Sequence, residues 1–111
     1  MVVVLRHPPL SSETASEALR VALGQTLARQ DVTLCLLGDG VWTAARLNPV
    51  VVRGPEIWKH LEALLTLGPR VVAEQEAVEA RGLGQLAGGI EVKPRADCFD
   101  LLTAADAMIV Y

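Results

Sequence analysis

The sequence has few cysteines, few aromatic residues and no excess of positive charge. Two cysteines in 111 residues are too few for a disulfide-stapled secreted domain, and their wide spacing fits no zinc-ligand motif. Ten Lys and Arg against thirteen Asp and Glu give a net charge of -3, which argues against direct nucleic-acid binding. Charges interrupt every apolar run before the ~18 residues of a membrane-spanning helix, and no signal peptide is recognisable. We therefore expect a cytoplasmic protein without a membrane segment.

The common cofactor and metal motifs are also missing. Gly38-Asp39-Gly40 lacks the third glycine of a dinucleotide fingerprint, and Gly82 follows a predicted helix instead of a strand. Neither lysine has the glycine spacing of a phosphate-binding loop, and the two histidines lie far apart in the chain. We expect no cofactor and no metal site.

Aliphatic residues, by contrast, are abundant: hydrophobic residues make up 51% of the chain. They alternate between short continuous runs, typical of buried strands, and helical stripes. The predicted strands are 2–5, 32–37, 71–73, 90–92 and 107–111; the predicted helices are 14 to about 30, 41–45, 55 to about 67, 75–81 and 97–104. A loop is expected through Asn48-Pro49, and the valine run 50–52 is not assigned. The pattern predicts one α/β domain, residues 1–111: a three-layer α/β/α sandwich with a five-stranded, mainly parallel sheet.

Ligands of parallel sheets bind beyond the carboxyl ends of the strands, so the residues after each predicted strand are candidates for a site. They are Arg6, His7, Asp39, Glu74, Gln75, Lys93 and Tyr111. We single out His7, Asp39 and Glu74 as candidate binding residues; the alternative is that they are ordinary exposed polar residues at strand ends. Glu74 in particular suits a carboxylate base or ligand clamp beside His7, or a helix N-terminal residue favoured by the dipole.

The two cysteines are predicted to differ. Cys35 lies inside an apolar strand, where we expect it to pack as a small hydrophobe. Cys98 follows Asp97, the predicted cap of the last helix, where free amides would stabilise a thiolate and nearby carboxylates would oppose it. Cys98 is thus a candidate catalytic thiol, or a partly exposed cysteine without a role.

Three segments together resemble the DsrE/DsrF-like sulfur-relay family, which includes TusC and TusD. The run VTLCLLGDGVW (32–42) is similar to the second strand and DGV turn of that family. The stretch RVVAEQEAVEARGL (70–83) is similar to the Arg-Gly-Leu region of the DsrF type, and LLTAADAMIVY (101–111) to the closing helix and strand. The resemblance covers nearly the whole chain and is greatest to the DsrF/TusC type.

The resemblance implies a small cytoplasmic protein that forms trimers or hexamers and passes sulfane sulfur between partners, as in tRNA thiolation or sulfur oxidation. Active DsrE-type subunits carry a persulfide-forming cysteine eight residues before the glycine of the Arg-Gly pair. Counting back from Gly82 leads to Glu74, and a carboxylate cannot hold a persulfide.

The leading hypothesis is therefore a DsrF/TusC-like subunit, in a homo-oligomer or with related subunits, that lacks its own persulfide cysteine. The alternatives are a sulfurtransferase that uses Cys98, or a small nucleotide- or anion-binding module at the strand ends, where Arg6, His7 and Lys93 lie. Whether the chain is an enzyme stays open; if it is, the resemblance implies a sulfurtransferase. The high aliphatic fraction of so small a domain independently favours oligomerisation.

Overall fold

A computed structural model of the chain describes residues 1–8, 14–28, 31–44, 55–83, 86 and 88–111. Within them the strands are β1 (Val2–Leu5), β2 (Thr33–Leu36), β3 (Arg70–Glu74), β4 (Glu91–Lys93) and β5 (Met108–Val110). The helices are α1 (Thr14–Leu27), α2 (Pro55–Leu67), α3 (Gln75–Ala80) and α4 (Arg95–Ala104), with a 3₁₀ segment at Gly38–Ala44. The predicted loop at Asn48-Pro49, the valine run 50–52 and the predicted end of the first helix near residue 30 lie outside the described residues.

The five strands form one parallel sheet in the order β4-β3-β2-β1-β5. The three connections from β1 to β4 all move in one direction across the sheet, and the connection from β4 to β5 returns past them to the other side of β1. Because such crossovers are right-handed, the first three place their helices on one face and the last places α4 on the opposite face. The predicted α/β fold is confirmed.

Each face of the sheet has its own apolar cluster. The larger cluster contains buried side chains of α1, α2 and α3 packed on alternate strand residues, with Leu5, Leu34 and Val71 among them. The smaller cluster consists of Val2, Val4, Cys35, Leu37, Val72 and Cys98, with Leu101, Leu102 and Ala105 packed against it. Strands buried on both faces explain the continuous apolar runs of the sequence.

Local sequence signals predict the end of α3 correctly, but they do not predict the start of α4. Gly82 adopts a positive φ of 63° directly after α3 and its cap residue Arg81, and its amide donates to the Glu79 carbonyl oxygen at 3.1 Å, so it ends that helix as predicted. The start predicted for the last helix is wrong: α4 begins at Arg95 with Pro94 as N-cap, and Asp97 lies in its first turn. Proline is well suited to the extended N-cap conformation, which here has a ψ of 153°.

Candidate functional site

The carboxyl ends of the three central strands meet at a pocket of about 450 Å³ on the α4 side of the sheet. Strand ends, α4 and β5 form its wall: Val4, Arg6, Leu37, Gly38, Glu74, Phe99, Leu102, Met108 and Val110. Apart from Glu74 and Arg6, these lining residues bring mainly apolar side chains. This arrangement, an apolar hollow with few polar groups, is typical of small-molecule sites.

Glu74 is the buried polar group of this pocket, with a relative exposure of 5%. It is the last residue of β3 and the N-cap residue of α3, yet its side chain makes no capping hydrogen bond. One carboxylate oxygen instead accepts the backbone N–H of Gly38 at 3.2 Å, and the other accepts Nε of Arg95 at 2.8 Å. Glu74 is therefore oriented toward the neighbouring strand end and α4, so the dipole of its own helix does not explain its position.

Arg95 is a site residue that the sequence pattern does not single out. Its half-exposed guanidinium lies at the rim and pairs with Glu74, which raises the pKa of Arg95 further. Its backbone N–H donates to both carboxylate oxygens of Glu76, at 2.8 and 3.0 Å. The carboxylates of Glu74 on β3 and Glu76 on α3 thus both bind Arg95, the first residue of α4. These contacts stand in place of the Asp97 cap that is expected from the sequence.

The other predicted binding residues lie near the site and outside its centre. Asp39 is exposed and accepts both Nε and a terminal nitrogen of Arg81, at 3.0 and 2.8 Å, which ties the 3₁₀ segment to the end of α3. His7 is exposed, and among the described residues it shares no hydrogen bond or ion pair with Glu74. The proposed pairing of Glu74 with His7 is thus absent there, and Arg95 takes the place of the histidine.

Both cysteines are fully buried, each with 0% exposure. This confirms the prediction for Cys35, whereas Cys98 is not the partly exposed residue considered from the sequence. The amide of Cys98 donates to the Pro94 carbonyl oxygen at 3.1 Å, so it is not one of the free amides of a helix start. Burial raises the pKa of the Cys98 thiol, opposite to the effect expected for a helix N-terminus. Its candidacy as a catalytic thiol stays a prediction.

A second hollow, of about 670 Å³, lies at the amino ends of the strands and includes Met1, Thr33 and Arg70. Parallel sheets bind ligands at the opposite edge, so the smaller pocket at Glu74 is the stronger candidate. Among the described residues, three or more His, Cys, Asp or Glu side chains nowhere come together as a metal site would require. The described helices include none with the length and apolar character to cross a membrane.

The all-parallel order, the single described helix on one face and the pocket lined by Glu74 define a small three-layer α/β domain with its candidate site at the carboxyl edge of the sheet. The family model described as "DsrE/DsrF-like family" matches residues 1–111. The chain belongs to the DsrE/DsrF-like family, as the three sequence segments predicted, and this membership suggests a role related to sulfur relay.

Known proteins of similar sequence and structure cover almost the whole chain. An uncharacterized protein of Methanopyrus kandleri is 29% identical over 114 residues, covering 100% of this chain and 93% of its own length. The crystal structure of the ychN protein from E. coli matches with a TM-score of 0.86 at 23% identity, over 99% of this chain and 97% of that one. A conserved protein of unknown function from Bacteroides thetaiotaomicron matches with a TM-score of 0.71 at 15% identity, over 99% and 93%. The two structures support the fold.

Proposed function

We propose that this chain is a DsrF/TusC-like subunit of a cytoplasmic sulfur-relay assembly that lacks a persulfide cysteine at the usual site and serves a process such as tRNA thiolation. The observation that carries the proposal is that Glu74, which the family resemblance aligns with the persulfide cysteine of active DsrE-type subunits, lines the carboxyl-edge pocket. A carboxylate has no sulfur on which a persulfide can form.

The position of the two thiols supports the same proposal. Persulfide formation is favoured at a thiol that a sulfur donor can reach, such as one that lines a pocket, and that has a low pKa. Cys35 and Cys98 are both fully buried, and burial raises the pKa of each thiol. In this proposal the chain contributes structure and a binding surface, and a sister subunit or another partner carries the sulfur.

Intact-mass spectrometry after incubation with a persulfide donor tests this function. We expect the natural chain to show no stable adduct of one sulfur, a gain of about 32 Da. Glu74→Cys restores a thiol at the family position, and we expect it to gain the adduct. Glu79→Cys is the matched control because Glu79 is exposed on the adjoining helix α3 and tests whether any accessible thiol reacts equally.

The outcomes separate the alternatives. A stoichiometric adduct on Cys98 of the natural chain would overturn the proposal in favour of a genuine sulfurtransferase. Equal adducts on Glu74→Cys and Glu79→Cys would show that the pocket confers no selectivity for persulfide formation, and would remove the support taken from the position of Glu74.

The family generally works in multi-subunit complexes, and an exposed apolar patch supports assembly here. Phe99, Met108 and Val110 are each 51% exposed and line the rim of the Glu74 pocket beside the edge strand β5. We propose that a second copy or a related subunit covers this patch. Met108→Lys is expected to lower the molar mass by light scattering, whereas Leu27→Lys, which changes an apolar side chain 66% exposed at the end of α1, should not. A natural chain that is monomeric at micromolar concentration excludes a second copy as the occupant and leaves only the related subunit.

A second candidate function is a small nucleotide- or anion-binding module. The observation that favours it is the cation Arg6, which follows β1 and lines the pocket. A thermal-shift panel of nucleotides and inorganic anions tests it, because a ligand that binds only the native state raises the melting temperature. Stabilisation that Arg6→Gln abolishes would support this function, and the absence of stabilisation by every compound would exclude it.

A further inference from the structure

The helix α4 is most deeply buried at a cysteine. It is the helix that covers the smaller apolar cluster, and Cys98 is the one residue of its ten that is fully buried. Neighbouring side chains of the helix are larger and half-buried or exposed, as Phe99 and Leu102 are. A short side chain at the contact allows the helix backbone to approach the strands closely. The most deeply buried side chain of α4 is therefore a thiol.

The buried cluster that contains Cys98 also contains the other cysteine of the chain. Cys35 stands on β2, with Val4 of β1 and Val72 of β3 beside it in register, and all three face the cluster that contains Cys98. Both thiols belong to this one buried cluster, and each shifts the pKa of the other. The Cys98 thiol also approaches the Lys93 carbonyl oxygen, at 3.7 Å. Cys35 and Cys98 are far apart in the sequence, but in the fold they lie in one cluster between the sheet and α4.

The surroundings of the two thiols give them different chemistry. Burial, and then the neighbouring Cys98, raise the pKa of Cys35 to about 12. Burial also raises the pKa of Cys98, but the neighbouring Cys35 opposes that rise. Cys98 is also on the outer layer, so an outward movement of α4 exposes it first. Cys98 is accordingly the attacking thiol of the pair, and Cys35 the resolving one.

We propose that Cys35 and Cys98 form a redox-active dithiol that closes to an intramolecular disulfide, joining α4 covalently to β2, when the chain meets a low-molecular-weight disulfide. The Cys98 thiolate attacks one sulfur of the small disulfide and releases one small thiolate. The Cys35 thiol then loses its proton, attacks the Cys98 sulfur and releases the second. The protein gives up two electrons and two protons, and the small disulfide is reduced to two thiols.

This disulfide would have a direct effect on the candidate site. Phe99 and Leu102 of α4 line the Glu74 pocket, and Arg95 at the start of α4 pairs with Glu74. A covalent link at Cys98 holds that helix against the sheet and so holds the pocket wall in place. The proposal goes beyond the sulfur-relay function, since it needs neither a persulfide nor a partner subunit.

The test uses the reduced full chain and glutathione disulfide as the oxidant. After acid quenching, intact-mass spectrometry is expected to show a loss of about 2 Da, the two hydrogens of a closed dithiol, without retained glutathione. Peptide mapping under non-reducing conditions should identify a disulfide between Cys35 and Cys98. Cys35→Ser lacks the resolving thiol, so we expect it to retain one glutathione on Cys98, and Cys98→Ser should remain unmodified.

Several results would overturn the proposal: a natural chain that keeps two free thiols after prolonged incubation, one that retains glutathione on Cys98, or one that forms only intermolecular disulfides. Circular dichroism of the serine variants checks that they fold, and the peptide map of the natural chain decides the question if they do not. Because no persulfide donor is present, failure here leaves the sulfur-relay proposal unaffected, and the reverse holds too.

Discussion

Replacing Gly40 by alanine should destabilise the protein strongly, because the backbone leaves no room for a side chain there. A Cβ at Gly40 would overlap the carbonyl oxygen of Leu5 and lie 2.7 Å from its carbonyl carbon. Leu5 is the last residue of β1, and its carbonyl oxygen accepts the amide of Leu37 at 3.0 Å. Since the clash is with backbone in the centre of the sheet, no rotamer change relieves it, and the 3₁₀ segment must move away from β1.

The magnitude follows from two opposing effects. Overpacking of a buried site costs about 1–3 kcal/mol, and a backbone clash belongs at the upper end of that range. Alanine also reduces the entropy of the unfolded chain, which returns about 0.4–1 kcal/mol. We expect the free energy of unfolding of Gly40→Ala to fall by about 2 kcal/mol, a substantial part of the ~5–15 kcal/mol typical of a domain. The melting temperature should fall by roughly 8–15 °C.

Gly24→Ala provides the matched control. Gly24 lies within α1, and a Cβ there would meet nothing within 4 Å. Alanine should therefore stabilise the helix by about 0.5–1 kcal/mol. Urea denaturation and thermal unfolding of both variants measure the difference. If Gly40→Ala unfolds within about 0.5 kcal/mol of the natural chain, the close approach of the 3₁₀ segment to β1 is refuted.

Three further perturbations test the site, the buried thiol and a surface ion pair. Glu74→Ala removes the acceptor of two hydrogen bonds and should lower the free energy of unfolding, measured by urea denaturation, by about 1–3 kcal/mol. A decrease no larger than that caused by Glu79→Ala, a change at an exposed residue, contradicts this prediction. The pKa of Cys35 is raised from 9.0 to about 12 by burial, ahead of the neighbouring Cys98 and Glu74, so above pH 9 the unfolded chain ionises first and stability falls. Between pH 8 and pH 10 the free energy of unfolding of the natural chain should fall by about 1.4 kcal/mol because of Cys35. The fall should be smaller by that amount in Cys35→Ala, and equal falls in the two proteins would refute the raised pKa. The exposed Arg70–Glu91 pair, at 2.8 Å, should contribute less than about 1 kcal/mol to the free energy of unfolding. Glu91→Gln should therefore change the urea midpoint little, and still less in high salt. A larger loss of stability that does not depend on salt contradicts this prediction.

The fold follows from the sequence to the extent that its signals are local. The β-branched run 2–5 becomes β1 with the predicted ends, and Gly82 ends α3 with the positive φ that glycine readily adopts. The closing helix is predicted less well because Cys98 is its one fully buried residue. A helix that buries so little has a weak apolar stripe, so the sequence pattern points to Asp97 as the cap, whereas Pro94 is the N-cap residue and Glu76 accepts the Arg95 amide.

The site depends on contacts that no local pattern encodes. Glu74 is placed correctly at the edge of the sheet because the end of an apolar run is visible in the sequence. Its partner Arg95 lies beyond another strand, and the pairing exists because β3 and β4 are neighbours in the sheet. The meeting of Cys35 with Cys98 likewise requires that the last crossover return over the opposite face, and the order of strands is not readable from periodicity.

The ion pair between Glu74 and Arg95 brings the two proposals to the same helix. Arg95 is the first residue of α4, and Cys98 lies one turn further along it. A ligand or partner group that competes for Glu74 would weaken the attachment of the helix start, one turn away from the buried Cys98. Occupation of the pocket should therefore increase the rate at which Cys98 reacts with a small disulfide, whereas a closed disulfide should oppose any displacement of α4. A pocket and a thiol pair that share one helix end cannot respond independently.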